Sequence, residues 1–223
     1  MSVPQGNDAV EIVTMIRTSN PRLTLILTLV SIVALGIGVA LWQVTSDRHT
    51  PMADAPLAGA KIGGSFRLID QDGKSLSSDS FNGRYRLMYF GYTYCPDICP
   101  TDAKKMGQAL RAFEGSDPER GARVQPIMIT IDPERDTPAV MKQFVAAFHP
   151  RLIGLTGTPE QIKTVLSTFS IYGRRVGPAG SPNYLMDHSA IMYLMDRDGK
   201  PITFFARDAT PEQIAADLAK YVA

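Results

Sequence analysis

The stretch YRLMYFGYTYCPDICP, Tyr85–Pro100, decides how the rest of the chain is read. Tyr85–Gly91 is a short and nearly unbroken apolar run, which suits a strand covered on both faces. It leads straight into Cys95 and Cys99, the only two cysteines of the chain, each followed by proline. Asp102–Phe113 then shows helical spacing, with Met106, Leu110 and Phe113 on one face.

The pattern continues outward in both directions. Upstream, Phe66–Asp70 and the turn Gln71-Asp72-Gly73-Lys74 predict a strand and a hairpin. Downstream, Val124–Ile131 predicts a second buried strand. Thr137-Pro138 opens a helix through Phe148, with proline just inside its start. Leu152–Leu155 is short and strand-like. Thr158-Pro159-Glu160 opens another helix, striped by Ile162, Val165, Leu166 and Phe169. Ala190–Asp196, the turn Arg197–Lys200 and Pro201–Ala206 predict a hairpin, and Thr210-Pro211-Glu212 opens a last helix. Strands alternating with helices imply an α/β fold, a mixed sheet flanked by helices on both faces. Strand, cysteine motif, helix, strand, helix and a terminal hairpin with its helix is a thioredoxin-like order. Residues 137–170 are then an insertion into its smallest form.

The chain has 223 residues and a formal net charge of +1, which gives no reason to expect nucleic acid as a partner. Residues 23–44 carry no charge. As a helix they would span about 33 Å, enough for a hydrocarbon core of about 30 Å. Arg22 stands at one end, and Trp42 lies at the depth of an interfacial aromatic. The competing reading is a cleaved signal peptide, for which Ala53-Asp54-Ala55 offers a cleavage pattern. The apolar run is longer than a signal peptide needs, which favours a retained anchor. Arg17 and Arg22 against Arg48 and Lys61 favour a cytoplasmic N-terminus. Asp8 and Glu11 do not suit an organellar presequence. The expected organisation is an N-terminal cytoplasmic segment 1–22, one N-terminal transmembrane helix 23–44, a tether 45–61 and a globular domain 62–223. The expected location is a bacterial inner membrane, crossed once, with the C-terminal domain in the periplasm.

Cys95 and Cys99 have three readings: a structural staple, a redox couple, or two metal ligands. A disulfide closing so short a loop would remove little unfolded-state entropy, about 2 kcal/mol. The position argues for chemistry, because ligands bind at the carboxyl edge of an α/β sheet. Asp97 is placed to cap the helix, and Cys99 then lies where the helix dipole favours thiolate. Pro96, Asp97 and Ile98 separate the sulfurs by one residue more than in the thioredoxin-type motif, so both can face one ion. Thiolates select soft ions such as Cu(I), which needs fewer ligands than tetrahedral zinc.

A third ligand is sought among three histidines. His49 falls in the tether, and His149, before Pro150, suits a structural or surface role at a helix end. His188 lies between the Gly/Pro loop Gly177–Pro182 and the strand from Ala190, a junction that faces the cysteines in a thioredoxin-like order. Its imidazole would complete a three-coordinate Cu(I) site and would also tolerate Cu(II). Met186, Met192 and Met195 are further soft donors, although their apolar runs suit core filling. Ile131–Thr137 reads either as a turn with Asp136 or Thr137 capping a helix, or as a site rim with Asp132 or Arg135 supporting a ligand.

Phe90–Pro100 (FGYTYCPDICP), Asp132–Thr137 (DPERDT) and Asp187-His188-Ser189, in this order, closely resemble the Sco/SenC family over residues 62–223. The resemblance implies a membrane-anchored, thioredoxin-like copper protein of cytochrome c oxidase assembly. It implies Cys95, Cys99 and His188 as copper ligands; Asp132 and Arg135 from the rim reading, and Asp187 beside His188, are the candidate supporting residues. It also implies oxidase subunit II as partner, receiving copper at, or having reduced the thiols of, its dinuclear copper centre. A copper donor and a thiol reductant would complete the set of partners. The alternative is a thiol–disulfide oxidoreductase acting on the subunit II cysteines, with metal binding incidental.

Overall fold

A computed structural model describes residues 21–46, 54–178, 180, 181 and 183–223. The N-terminal unit and the rest of the chain are separate compact units. In the first, α1 (Pro21–Ser46) is a continuous helix. Its described side chains, Arg22 and those of 25–38, are exposed. Among the described residues, no helix is long and apolar enough to cross a membrane. The span read at 23–44 lies partly outside the described side chains, and residues 1–20, His49 and the rest of 47–53 lie outside the described residues altogether.

The second unit is a mixed sheet of seven strands, in the spatial order β2-β1-β5-β4-β3-β8-β9. The strands are β1 (Arg67–Asp70), β2 (Ser75–Ser77), β3 (Tyr85–Gly91), β4 (Val124–Thr130), β5 (Ile153–Thr156), β8 (Met192–Met195) and β9 (Pro201–Phe205). β3, β4 and β5 run parallel, while β1–β5, β3–β8 and the terminal hairpin β8–β9 are antiparallel. The helices are α2 (Ile98–Ser116), α3 (Pro118–Ala122), α4 (Pro138–Ala146), α5 (Pro159–Thr168) and α6 (Pro211–Tyr221). α5 and α6 begin with complete capping boxes, Thr158/Gln161 and Thr210/Gln213, which satisfy backbone donors at both ends of the motif. Proline follows the cap in each, where its missing N–H costs nothing.

β3 and β4 are buried at every position. The alternation of a strand explains why β3 must be apolar on both sides. Phe90 points to one face, where its ring lies 5.3 Å from that of Phe169. Gly91 points to the other, toward Cys99. α2 packs against α6 on the cysteine side, and its Gly107 admits the chain at Phe148: a Cβ there would lie 2.6 Å from the Phe148 carbonyl oxygen.

Two differences from the sequence reading have physical causes. The folded unit begins before Ile62, within the expected tether 45–61: Ala55 is buried in the core, and Leu57 N–H donates to the Ile202 carbonyl at 3.0 Å. Short apolar content hid this anchoring. α2 starts at Ile98, directly after Asp97, the cap position expected from the sequence, and runs through Pro100, which is harmless in a first turn. Two strands flanking the expected Gly/Pro loop had no alternating apolar pattern to reveal them. β6 (Gly173–Val176) and β7 (Leu185–His188) form a separate two-stranded sheet, paired, among the described residues, only with each other, with Gly173 opposite His188.

Candidate metal centre

The site lies where β3 ends. The chain leaves Gly91, passes Tyr92–Asp97 and enters α2. Gly91 is needed there, since a Cβ would meet the Tyr89 ring at 2.6 Å and Cys99 Sγ at 3.0 Å. The loop is bolted to β4 by Asp136. Its carboxylate accepts from Thr93 N–H at 3.0 Å, from Thr93 Oγ1 at 2.6 Å and from Thr130 Oγ1 at 2.6 Å. Asp136 therefore does not cap α4; Thr137 does, accepting from Val140 N–H. Burial pushes the Asp136 carboxyl up, against those hydrogen bonds.

Both cysteines are free thiols, Cys95 half-buried and Cys99 fully buried. At Cys99 the chemistry is the reverse of the sequence expectation. Asp97 stands at the N-cap of α2 but its side chain makes no capping bond. The sulfur of Cys95 takes that place, accepting from Cys99 N–H at 3.3 Å. Burial pushes the Cys95 thiol up, but the N–H groups of Cys99, Asp97 and Ile98 outweigh it and hold the thiol below its ordinary value. Cys99 belongs to the helix itself and faces the core. Burial pushes it up to about 12, and hydrogen bonds from Tyr89 and the Tyr92 backbone only partly oppose that. Desolvation thus overrides the helix dipole at Cys99, and Cys95 is the thiolate-prone sulfur.

His188 ends β7. Strand alternation sets Met186 and His188 inward and Leu185 and Asp187 outward. His188 Nδ1 is 3.1 Å from the Ser189 carbonyl oxygen, which can only accept, so Nδ1 carries the proton. Nε2 then presents its lone pair to Cys99 Sγ at 3.5 Å. Burial holds the His188 pKa below the usual value, against the Ser189 carbonyl, Asp102 and Asp187, and keeps the ring neutral. The Tyr92 ring stands edge-on to His188 at 6.0 Å, and its hydroxyl accepts from Met186 N–H at 3.2 Å. A cavity of about 320 Å³ opens over Cys95, Met186 and His188, rimmed by Ile98, Asp187 and Arg207.

The structure thus brings His188 to Cys99 and sets Cys95 at the head of the same helix. Among the described residues, no group of three or more His, Cys, Asp and Glu side chains stands ready-made to hold a metal. The donors in place, two sulfurs and a neutral imidazole, are soft or borderline and suit Cu(I). Asp187 is exposed, with its backbone paired to Arg174. Met192 and Met195 are buried in β8 as core, whereas Met186 lines the cavity. His149 is buried rather than on the surface, with Nε2 3.3 Å from Glu114 Oε2. Asp132 and Arg135 form an ion pair at 2.6 Å beside Tyr184.

Comparison with known proteins gives one answer. The SCO1/SenC family model matches residues 54–223. A SCO2-like protein of Rickettsia felis is 40% identical over 198 residues, 85% of this chain and 94% of the relative. The structure of Bradyrhizobium japonicum ScoI with copper bound is 46% identical and covers 72% of this chain and 99% of its own, at a TM-score of 0.64. BsSco, a member of the Sco family of cytochrome c oxidase assembly proteins in which a disulfide switch was identified, is 28% identical. It covers 70% of this chain and 90% of its own, at a TM-score of 0.54. With a thioredoxin-like mixed sheet, a cysteine pair at its edge and a family match that begins where the folded unit begins, the chain belongs to the SCO1/SenC family.

Proposed function

We propose that this chain is a membrane-anchored copper-binding assembly factor for cytochrome c oxidase, with Cys95, Cys99 and His188 as its copper ligands. It delivers copper to, or keeps reduced the thiols of, the dinuclear centre of subunit II. The observation that carries this reading is the contact between Cys99 Sγ and the unprotonated Nε2 of His188 at 3.5 Å, next to a second sulfur at the helix start. Two thiolates and an imidazole give Cu(I) three donors, and the imidazole also tolerates Cu(II). Copper is the cargo. Loading it displaces the Cys99 proton, which burial otherwise holds in place, so uptake releases protons and weakens in acid. An exposed mouth above Cys95 suits transfer to another protein's thiolates. The domain works in a bacterial periplasm, held by residues 23–44, and takes copper and electrons from partners of its own.

The asymmetry of the two thiols supports a second reading. A low-pKa, half-exposed Cys95 beside a high-pKa, buried Cys99 is also the arrangement of a thiol–disulfide exchanger. Cys95 would attack a disulfide of subunit II, Cys99 would resolve the mixed disulfide, and two electrons and two protons would pass to the partner. Anaerobic Cu(I) titration of the reduced full chain in detergent tests the first reading, with the Cys95–Cys99 disulfide form as comparison. Tight one-to-one binding lost on oxidation is expected. Equal binding by both forms overturns the two-thiolate site, and no binding by the reduced form promotes the exchanger. A periplasm-only reporter fused after Ala223 is expected to be active; activity of a cytoplasm-only reporter there overturns the topology.

A further inference from the structure

We propose that Asp132, Arg135 and Tyr184 form a clamp that positions His188 for copper by fixing the β6–β7 hairpin to the end of β4. The proposal rests on His188 being a copper ligand. It starts from a structural problem. His188 ends a hairpin that pairs, among the described residues, with no strand of the main sheet, and every residue of β6 is exposed. Neither ladder hydrogen bonds nor an apolar face of β6 ties the hairpin to the domain that carries the cysteines.

Tyr184, immediately before β7, is 6% exposed and supplies the tie. Its hydroxyl donates to Asp132 Oδ1 at 2.7 Å. Its carbonyl accepts from Arg135 Nη1 at 3.0 Å. Its ring centroid lies 3.5 Å from Arg135 Cζ and 3.7 Å from Arg175 Cζ. Two guanidiniums that close cannot share one face of a ring, so Tyr184 is held between them. Arg135 Nε and Nη2 both lie 2.6 Å from Asp132 Oδ2. The Asp132 side chain is 3% exposed, a burial a carboxylate tolerates only when paired as it is here.

The clamp governs orientation as well as attachment. Along β7 the side chains alternate, so a slip of one residue would turn His188 outward and Asp187 inward. Holding Tyr184 by ring, hydroxyl and carbonyl at once removes that freedom. A second route reaches the same ligand. Arg135 Cζ lies 5.9 Å from the Tyr92 ring, and Tyr92 both stands edge-on to His188 and accepts from Met186 N–H. Arg135 is thus a positioning residue that reaches His188 through Tyr184 and through Tyr92 without touching the copper donors.

The test is Cu(I) affinity of the full chain in detergent, measured by competition with a chromophoric Cu(I) chelator. Arg135→Gln is expected to lower it by about 10-fold or more, in the range of other changes behind metal ligands. Arg135→Lys keeps the charge facing Asp132 but loses the Nη1 hydrogen bond to the Tyr184 carbonyl, and Tyr184→Phe loses only the hydroxyl. Both are expected to lower affinity less, and both carry the test should the Gln variant fail to fold. Amide hydrogen exchange at 185–188 is expected to quicken in all three. The decisive measurement repeats Arg135→Lys in a His188→Ala background. A clamp acting through His188 then changes affinity by less than about 2-fold, whereas a merely structural role gives additive losses. Additive losses overturn the clamp, as does unchanged affinity in both Arg135→Lys and Tyr184→Phe. Wild-type affinity in His188→Ala alone instead overturns the ligand assignment on which the clamp rests.

Discussion

β3 and β7 bring the two halves of the site together, and they are built in opposite ways. β3 is central in the sheet, parallel to β4 and antiparallel to β8, and buried at all positions. The cysteine loop grows from its end and is bolted down by Asp136. β7 pairs, among the described residues, only with exposed β6, and it shows solvent two of its four side chains, Leu185 and Asp187. Two of the three proposed donors therefore follow a core strand, and the third is delivered by an arm that side chains hold in place. A site joined in this way can change its grip on a ligand by small motions of the arm while the cysteine side stays fixed. Stability should live on the first side, and the closure of the site on the second.

The largest effect expected from this contrast lies between the two sulfurs. Cys95 sits at the rim with a thiol below its ordinary value, and Cys99 is core with a thiol pushed up to about 12. At pH 8 the thiolate fraction of Cys95 should exceed that of Cys99 by at least about 1000-fold. The gap should narrow once pH rises past the Cys95 value, where that thiol is fully ionised, and close only as pH rises through the Cys99 value, because a raised thiol pKa means the proton is lost late. Timed alkylation of the reduced chain, with the modified peptides read by mass spectrometry, checks this. Comparable rates at pH 8 would break the picture of one rim sulfur and one core sulfur.

Next comes stability. Phe90 packs on Phe169 and Tyr193 in the middle of the sheet, so Phe90→Ala should cost about 3–5 kcal/mol. Val176, exposed at the end of β6, should tolerate alanine within about 0.5 kcal/mol. Chemical denaturation followed by far-UV circular dichroism compares them. A large cost at Val176 would mean that the hairpin belongs to the cooperative core after all.

His188→Ala should reverse that ranking for copper. Stability and the ability of the two thiols to form a disulfide should persist, while Cu(I) affinity should fall by at least about 10–100-fold, taking losses behind metal ligands as a lower guide. An unchanged affinity with an altered rate of disulfide exchange would favour the exchanger.

The same contrast explains what could be read from the sequence. β3, β4 and the α2, α5 and α6 helices were legible because burial writes periodicity into the chain, and proline and threonine mark helix starts. Cys95, Cys99 and His188 stand out in the sequence as candidates because few other residues could serve, and the structure brings His188 to Cys99. The hairpin was not legible, since Gly173–Val176 is exposed throughout and carries no period to detect. Tyr184 was missed for the same reason: a lone aromatic beside a Gly/Pro loop gives no hint that it lies between two guanidiniums. The thiolate expected at Cys99 from its place near a helix start is not found, because only three dimensions show that this sulfur faces the core.

The smallest effect expected concerns Ser189, and it separates holding the arm from orienting the ligand. Ser189 makes two kinds of contact. Its carbonyl oxygen accepts a hydrogen bond from His188 Nδ1–H, which fixes the tautomer and aims Nε2 at Cys99. Its hydroxyl accepts from Tyr172 N–H at 3.1 Å, and its own N–H donates to the Tyr172 carbonyl at 3.0 Å, which together close the base of the hairpin. Ser189→Ala removes only the hydroxyl. One hydrogen bond of this kind contributes about 0.5–1.5 kcal/mol, and Tyr172 N–H is near enough to the surface for water to replace the lost partner. Stability should therefore fall by about 1 kcal/mol or less. Copper affinity should stay within a few-fold of wild type, because the group that orients His188 is backbone and survives the change. Denaturation and chelator competition on the same variant read the two quantities separately. A loss of copper as large as that of His188→Ala, with stability unaltered, would show that the hydroxyl itself orients the ligand, and the division between a rigid cysteine side and a held histidine arm would have to be redrawn around Ser189.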